Sequence, residues 1–186
     1  MSEQENWASS ATQLFAEVSH TVRRYSTFDF GRQQNFNCIS AIVPRDIANT
    51  SVFKIRERLK PGLVTFVGTT HWLGNESHDG VEIVIGSGNS QFDILRLAHS
   101  DAINYSKNTE ELIEKLQEYD RNFGIDIFHA ETDTVEFGIL NIPSDLLTFA
   151  EDIYKFCPDI VDQGCGSIFN LMEIVGVTGQ VLLWWD

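Results

Sequence analysis

Apolar side chains recur at Trp7, Ala11, Leu14, Phe15, Val18 and Val22, in steps of three and four. That spacing predicts an amphipathic helix over residues 7–23. The polar segment Tyr25–Asn37 contains Gly31 and reads as a loop. Phe36–Val43 reads as a strand. Pro44 is placed to open the next helix, and Lys60-Pro61-Gly62 closes it. The β-branched runs Leu63–Gly68 and Val81–Ile85 predict two strands, with Thr70–Gly80 as the loop between them. Gly86–Ser90 turns the chain into a helix over Phe92–His99.

The second half repeats this order. Asn108 or Thr109 caps a helix whose apolar stripe is Leu112, Ile113, Leu116 and Tyr119, and Gly124 ends it. Ile125–Ala130 and Thr134–Leu140 form a hairpin around Glu131-Thr132-Asp133. Pro143-Ser144-Asp145 starts a helix that runs to about Phe156. Ser167–Val175 is a short helix and Gln180–Trp185 a last strand. The order helix, strand, strand, helix therefore occurs at 46–99 and again at 109–156. This predicts an α+β fold with a single mixed sheet and packed helices. The expected organisation is an N-terminal helix and polar loop over 1–35, then one domain over 36–186.

Charge narrows the function classes. Thirteen Lys and Arg face 27 Asp and Glu, a net charge of −14. Recognition of phosphate backbones calls for basic patches, so a nucleic-acid role is not expected. An anionic membrane surface is disfavoured for the same reason. A basic protein partner fits, because opposite fields steer encounter. No apolar run reaches the ~20 residues of a membrane span. The first residues carry no secretory pattern. Three cysteines make no disulfide framework. Together these predict a cytoplasmic protein with reduced thiols.

The familiar catalytic and nucleotide motifs are absent. Gly86-Ser87-Gly88 resembles a phosphate loop only faintly and lacks the lysine. Cys157 and Cys165 stand too far apart for a zinc pair, and no second pair exists. Cys157 falls on the apolar face of the preceding helix, beside Phe149, Ile153 and Phe156, which favours a buried thiol over a nucleophile. No cofactor and no metal site is expected, and no residue is singled out as catalytic.

The stretch FCPDIVDQGCGSIFNL, Phe156–Leu171, holds the densest polar chemistry. Pro158 stops the helix before it. Asp159 and Asp162 are placed to cap the next turn, with Gly164 and Gly166 supplying positive φ. A rigid turn carrying two aspartates can also present a site. In HAETDTVEF, His129, Glu131 and Asp133 alternate, and one imidazole with two carboxylates can hold a divalent cation. The loop THWLGNESHDG offers His71, Trp72 and His78, and exposed Trp is enriched at binding surfaces. In VLLWWD, adjacent tryptophans point to opposite faces of a strand, so one of Trp184 and Trp185 is buried. Asp186 follows them. The candidate binding residues are thus His71, Trp72, His78, Asp159, Asp162, Gln163, Trp185 and Asp186.

PGLVTFVGTTHWLG, QFDILRLAHSDAINY, TEELIEKLQEYDRNFGIDIFHAETDTVEF, YKFCPDIVDQGCGS and LLWWD together resemble the bacterial family catalogued as domain of unknown function 4253. The match runs from about Pro61 to Asp186. The resemblance implies a bacterial, intracellular α+β protein and assigns no catalytic residue. Phe156, Cys157, Pro158, Asp159, Asp162, Gln163, Gly164, Trp184, Trp185 and Asp186 are the positions that match its motifs.

Two functions follow as expectations. The first is a protein-binding module of the immunity type, inhibiting a basic toxin or nuclease. The second is a metal-dependent enzyme or small-ligand binder in which Asp159, Asp162, His129 and Glu131 converge, with Trp185 as a wall.

Overall fold

A computed structural model describes residues 11–16, 21–27, 34–71 and 79–186. Its strands are β1 (Val22–Ser26), β2 (Gln34–Val43), β3 (Leu63–Val67), β4 (Val81–Ser87), β5 (Ile125–Ala130), β6 (Thr134–Ile139) and β7 (Gln180–Trp184). They form one mixed seven-stranded sheet in the order β1-β2-β4-β3-β5-β6-β7. The helices are α1 (Ala48–Arg56), α2 (Asp93–Ala98), α3 (Thr109–Phe123), α4 (Leu146–Phe156) and α5 (Ile168–Thr178). The α+β class expected from the pattern is the class observed. Both helix–strand–strand–helix runs are present, as α1-β3-β4-α2 and as α3-β5-β6-α4.

By its internal contacts the chain divides into two compact units. One comprises residues 1–99 with 130–132, the other 100–129 with 133–186.

In the first unit, β2 and β3 flank β4, each antiparallel to it. Ile39 stands opposite Ile85, and Val67 opposite Ile83. All six residues from Val81 to Gly86 are buried, so β4 is covered on both faces. Gly86 is held in close packing. A Cβ there would lie 2.7 Å from both Cys38 Sγ and Leu97 Cδ1. The Gly86-Ser87-Gly88 run is therefore explained by close packing rather than by a phosphate loop.

The N-terminal reading needs correction. Residues 11–15 are helical, with Ala11 and Phe15 buried, but residues 22–26 are a strand rather than the end of that helix. Strand β1 pairs with β2, with Val22 opposite Ala41. It is the outermost strand and buries only Tyr25. Such a strand shows almost no alternation, and Val22 happens to continue the helical spacing of the residues before it. Trp7 and Val18 lie outside the described residues, as does the polar stretch 28–33.

The second unit is built on α3. Asn108 Oδ1 accepts the N–H groups of Glu110 and Glu111, and Glu111 Oε2 accepts the N–H of Asn108, a reciprocal capping box. Gly124, at φ 66°, ends the helix. Tyr119, fully buried, stacks on Phe137 and meets Phe149 and Phe156 edge-on. Helices α4 and α5 pack together, and α5 leads through Gly179 into β7. There Val135 stands opposite Leu183, and Phe137 opposite Val181.

Candidate functional site

Two places gather polar chemistry, one in each unit. In the first unit the anchor is Glu82, fully buried near the start of β4. A carboxylate in that position is stable only with partners. Ser40 Oγ donates to Glu82 Oε1 and Thr69 Oγ1 donates to Oε2 at 2.8 Å. Arg23 Nε lies 3.3 Å from Oε1. Tyr25 is nearby, and burial first, then the Glu82 charge, push its hydroxyl well above its ordinary pKa. Glu131, also buried, accepts the hydroxyl of Thr70. These contacts tie β1, β2 and β4 into one network.

In the second unit the anchor is Asp159, 5% exposed. Tyr105 donates its hydroxyl to Oδ1 at 2.7 Å, and Gln163 Nε2 donates to the same oxygen at 3.0 Å. The backbone N–H of Asp186 donates to Oδ2 at 2.9 Å. Burial raises the pKa of this carboxyl, but the three hydrogen bonds outweigh it and hold the group below its ordinary value. The same bonding, chiefly the hydrogen bond to Asp159, pushes Tyr105 up to about 12.

Two neighbours repeat the connection. Cys157 Sγ donates to the Trp184 carbonyl at 3.0 Å and accepts the Trp184 N–H at 3.3 Å. Trp185 Nε1 donates to the Phe156 carbonyl at 3.3 Å, and the two rings meet edge-on at 5.5 Å. Phe156, Cys157 and Asp159 thus engage Trp185, Trp184 and Asp186 respectively. The two segments that looked distinctive in the sequence form one interlock.

The interlock also closes an exposed backbone edge. Strand β7 is terminal in the sheet. The outward N–H and C=O of Trp184 are held by Cys157, and the N–H of Gln180 donates to Thr178 Oγ1 at 3.1 Å. Side chains therefore occupy both ends of the strand that another chain would otherwise pair with.

Between the two segments lies a wide turn. The Pro158 carbonyl accepts the N–H groups of Val161 and Asp162, and Gly166 N–H reaches back to Val161, giving a π-helical turn over Ile160–Cys165. Gly166 closes it at φ 80°. Gly164 does not have positive φ, contrary to expectation, because it sits inside that turn. Asp159 does not cap the turn either, since its oxygens are taken by Tyr105, Gln163 and Asp186. Ser167 then caps α5 by accepting the N–H of Asn170 at 3.1 Å.

The outer apolar face of helix α5 is the feature that sequence reasoning passed over. It buries Leu171 and Val175 but leaves Phe169, Ile174 and Val177 exposed by 66%, 47% and 81%. Steps of five and three spread these three over about 140° of the helix circumference, on the side opposite the buried Leu171 and Val175. Ile142, 45% exposed, lies beside the cap residue Gly179, whose added Cβ would sit 3.5 Å from Ile142 Cδ1. The signal was in IFNLMEIVGVT, which carries more apolar residues than one face of a short helix can bury.

The expected site residues separate. Trp185, Gln163 and Asp186 join Asp159 in the interlock. Asp162 is exposed and accepts the Tyr154 hydroxyl at 3.1 Å. His71 is exposed, with Nδ1 2.9 Å from Thr70 Oγ1. Trp72 and His78 lie outside the described residues. His129 is buried with Nδ1 3.2 Å from Glu136 Oε2. Thus His129, Glu131, Asp159 and Asp162 are each held by a different partner. Among the described residues no group of three or more His, Cys, Asp or Glu is gathered to hold a metal ion. No helix among them is long and apolar enough to cross a membrane.

The family model of the domain of unknown function DUF4253 matches residues 82–186, and the chain belongs to that family. The match covers the whole interlock and α5. No curated protein and no solved structure matches the chain.

Proposed function

We propose that the protein is a protein-binding module whose docking face is the outer side of α5. The observation that carries this reading is the joint exposure of Phe169, Ile174 and Val177 on the outer side of a helix clamped at its start by Ser167 and at its end by the β7 strand. Large apolar side chains left exposed together on one side of a helix, here around the exposed Glu173, mark interaction sites. The interlock supports the reading by fixing the chain on both sides of α5, so the face is presented rigidly and binding costs little ordering entropy.

Charge identifies the kind of partner. The second unit holds sixteen Asp and Glu against four Lys and Arg, a net charge of −12, so almost the whole −14 of the chain resides there. A second copy would bring a like charge to the same face. A basic partner with an apolar contact surface is complementary to it. Inhibition of a basic toxin or nuclease by a bacterial, cytoplasmic immunity-type protein is the function that best fits such a face.

The test is affinity capture from source cells at low and at high salt, with the wild-type chain and with a Phe169→Ser/Val177→Ser variant. The expected result is one stoichiometric basic protein, weakened by salt and absent from the variant. An equal yield of that protein from both chains counts against the proposal.

A further inference from the structure

The docking face carries one charge. Helix α5 reads IFNLMEIVGVT, and Glu173 is the single charged residue among its 11. Phe169, Glu173 and Val177 follow one another at steps of four. The carboxylate therefore stands one turn from each of the two most exposed apolar side chains of the face. Glu173 is itself exposed, and among the described residues it forms no ion pair. No Lys or Arg stands between Phe156 and Asp186. Helix α4, which packs against α5, carries one cation, Lys155, and it forms no ion pair with Glu173.

An acid in that position sets a condition on whatever covers the face. A partner that buries Phe169 and Val177 together also takes the carboxylate between them out of water. A carboxylate desolvated without a counter-charge is strongly unfavourable. A wholly apolar partner surface is therefore rejected, and a second copy of this chain would bring a second unpaired acid. A guanidinium meets the condition best. Its planar fork pairs with both carboxylate oxygens, it is more weakly hydrated than an ammonium, and its apolar stem packs against neighbouring side chains such as Phe169.

We propose that Glu173 is the specificity-determining residue of the α5 face, and that the partner seats an arginine against it within an apolar contact. The inference rests on the reading of α5 as the docking face and adds what the partner must present there. The charge of −14 attracts any basic protein. Pairing at Glu173 selects those whose arginine is flanked by apolar side chains.

The probe is a phage-displayed library of random peptides, selected on the full chain. Peptides that also bind the Phe169→Ser/Val177→Ser variant are discarded, which removes those held by charge alone. The expected survivors carry an arginine between apolar residues. One survivor is then synthesised with that arginine and with citrulline, its neutral isostere, and titrated into the wild-type and Glu173→Gln chains. Citrulline should weaken binding to the wild type about tenfold or more and change binding to Glu173→Gln little. The melting temperature of Glu173→Gln should match wild type, since the side chain is exposed. Survivors without a preference for arginine overturn the proposal and leave the docking face standing. So does an equal loss with citrulline on both chains. A library that yields no peptide preferring the wild type over Phe169→Ser/Val177→Ser overturns the docking face, and the role of Glu173 with it.

Discussion

The backbone N–H of Asp186 donates to the Asp159 carboxylate across 27 positions of sequence, at 2.9 Å. This bond joins the turn that follows α4 to the end of the last strand. Its acceptor is almost fully buried and has no counter-charge among its three hydrogen-bond donors. A buried carboxylate held by neutral donors is a strong, directional fastening, and its removal leaves those donors unsatisfied.

The first prediction concerns acid stability. The folded-state pKa of Asp159 is depressed from its ordinary 3.8. The unfolded state therefore binds a proton more readily, and the stabilisation is fully present above the unfolded value. It is lost as pH falls through the lower, folded value. Asp159→Asn should destabilise the protein by about 2 kcal/mol at neutral pH. The gap to wild type should close as pH drops below about 3.8. Thermal melts of both chains from pH 7 down to pH 3 check this, and a gap that stays constant over the range contradicts it.

A second prediction concerns the thiols. Burial pushes Cys157 up to about 11 and Cys38 up to about 12, so neither forms thiolate near neutral pH. Both are buried, whereas Cys165 is half-exposed. Titration of the native protein with a thiol-specific disulfide reagent should register one fast-reacting group, and Cys165→Ser should abolish it. Denaturation should release three. Fast modification of Cys157 in the native state would show that the β7 edge opens readily.

A third prediction concerns the buried carboxylate of β4. Removing the charge near Glu82 by Arg23→Met should cost about 3 kcal/mol, because a buried anion is left under-compensated. The double variant Arg23→Met/Glu82→Leu should regain part of that loss. Denaturant melts of the two variants test this. A double variant less stable than the single one would mean that the hydroxyls of Ser40 and Thr69, not Arg23, carry the network.

Much of this architecture was legible in the chain. The hairpin strand Ile125–Ala130 could be placed to the residue and the helix cap to Asn108 or Thr109, of which Asn108 is the cap, because capping chemistry and alternation act within a few positions. Strand β1 was hidden for the opposite reason. An outermost strand that buries one side chain has no pattern to display. Asp159 was visible as a candidate, but its role was not. Tyr105 and the N–H of Asp186, which define that role, lie 54 and 27 positions away and carry no local sign of it. Glu82 was readable in principle, since a lone charge inside VEIVI announces a buried anion that needs partners. The face of α5 was readable too, as an excess of apolar residues on a short helix.

The account rests most heavily on that face. Phe169 and Val177 are exposed, so replacing both with serine should leave the melting temperature within the small range of surface substitutions. Calorimetric titration of the captured basic partner with the wild-type and Phe169→Ser/Val177→Ser chains then isolates binding from folding. The account predicts at least a tenfold loss of affinity in the variant, with a wild-type association rate that falls steeply as salt rises. Equal affinity of the two folded chains would contradict it.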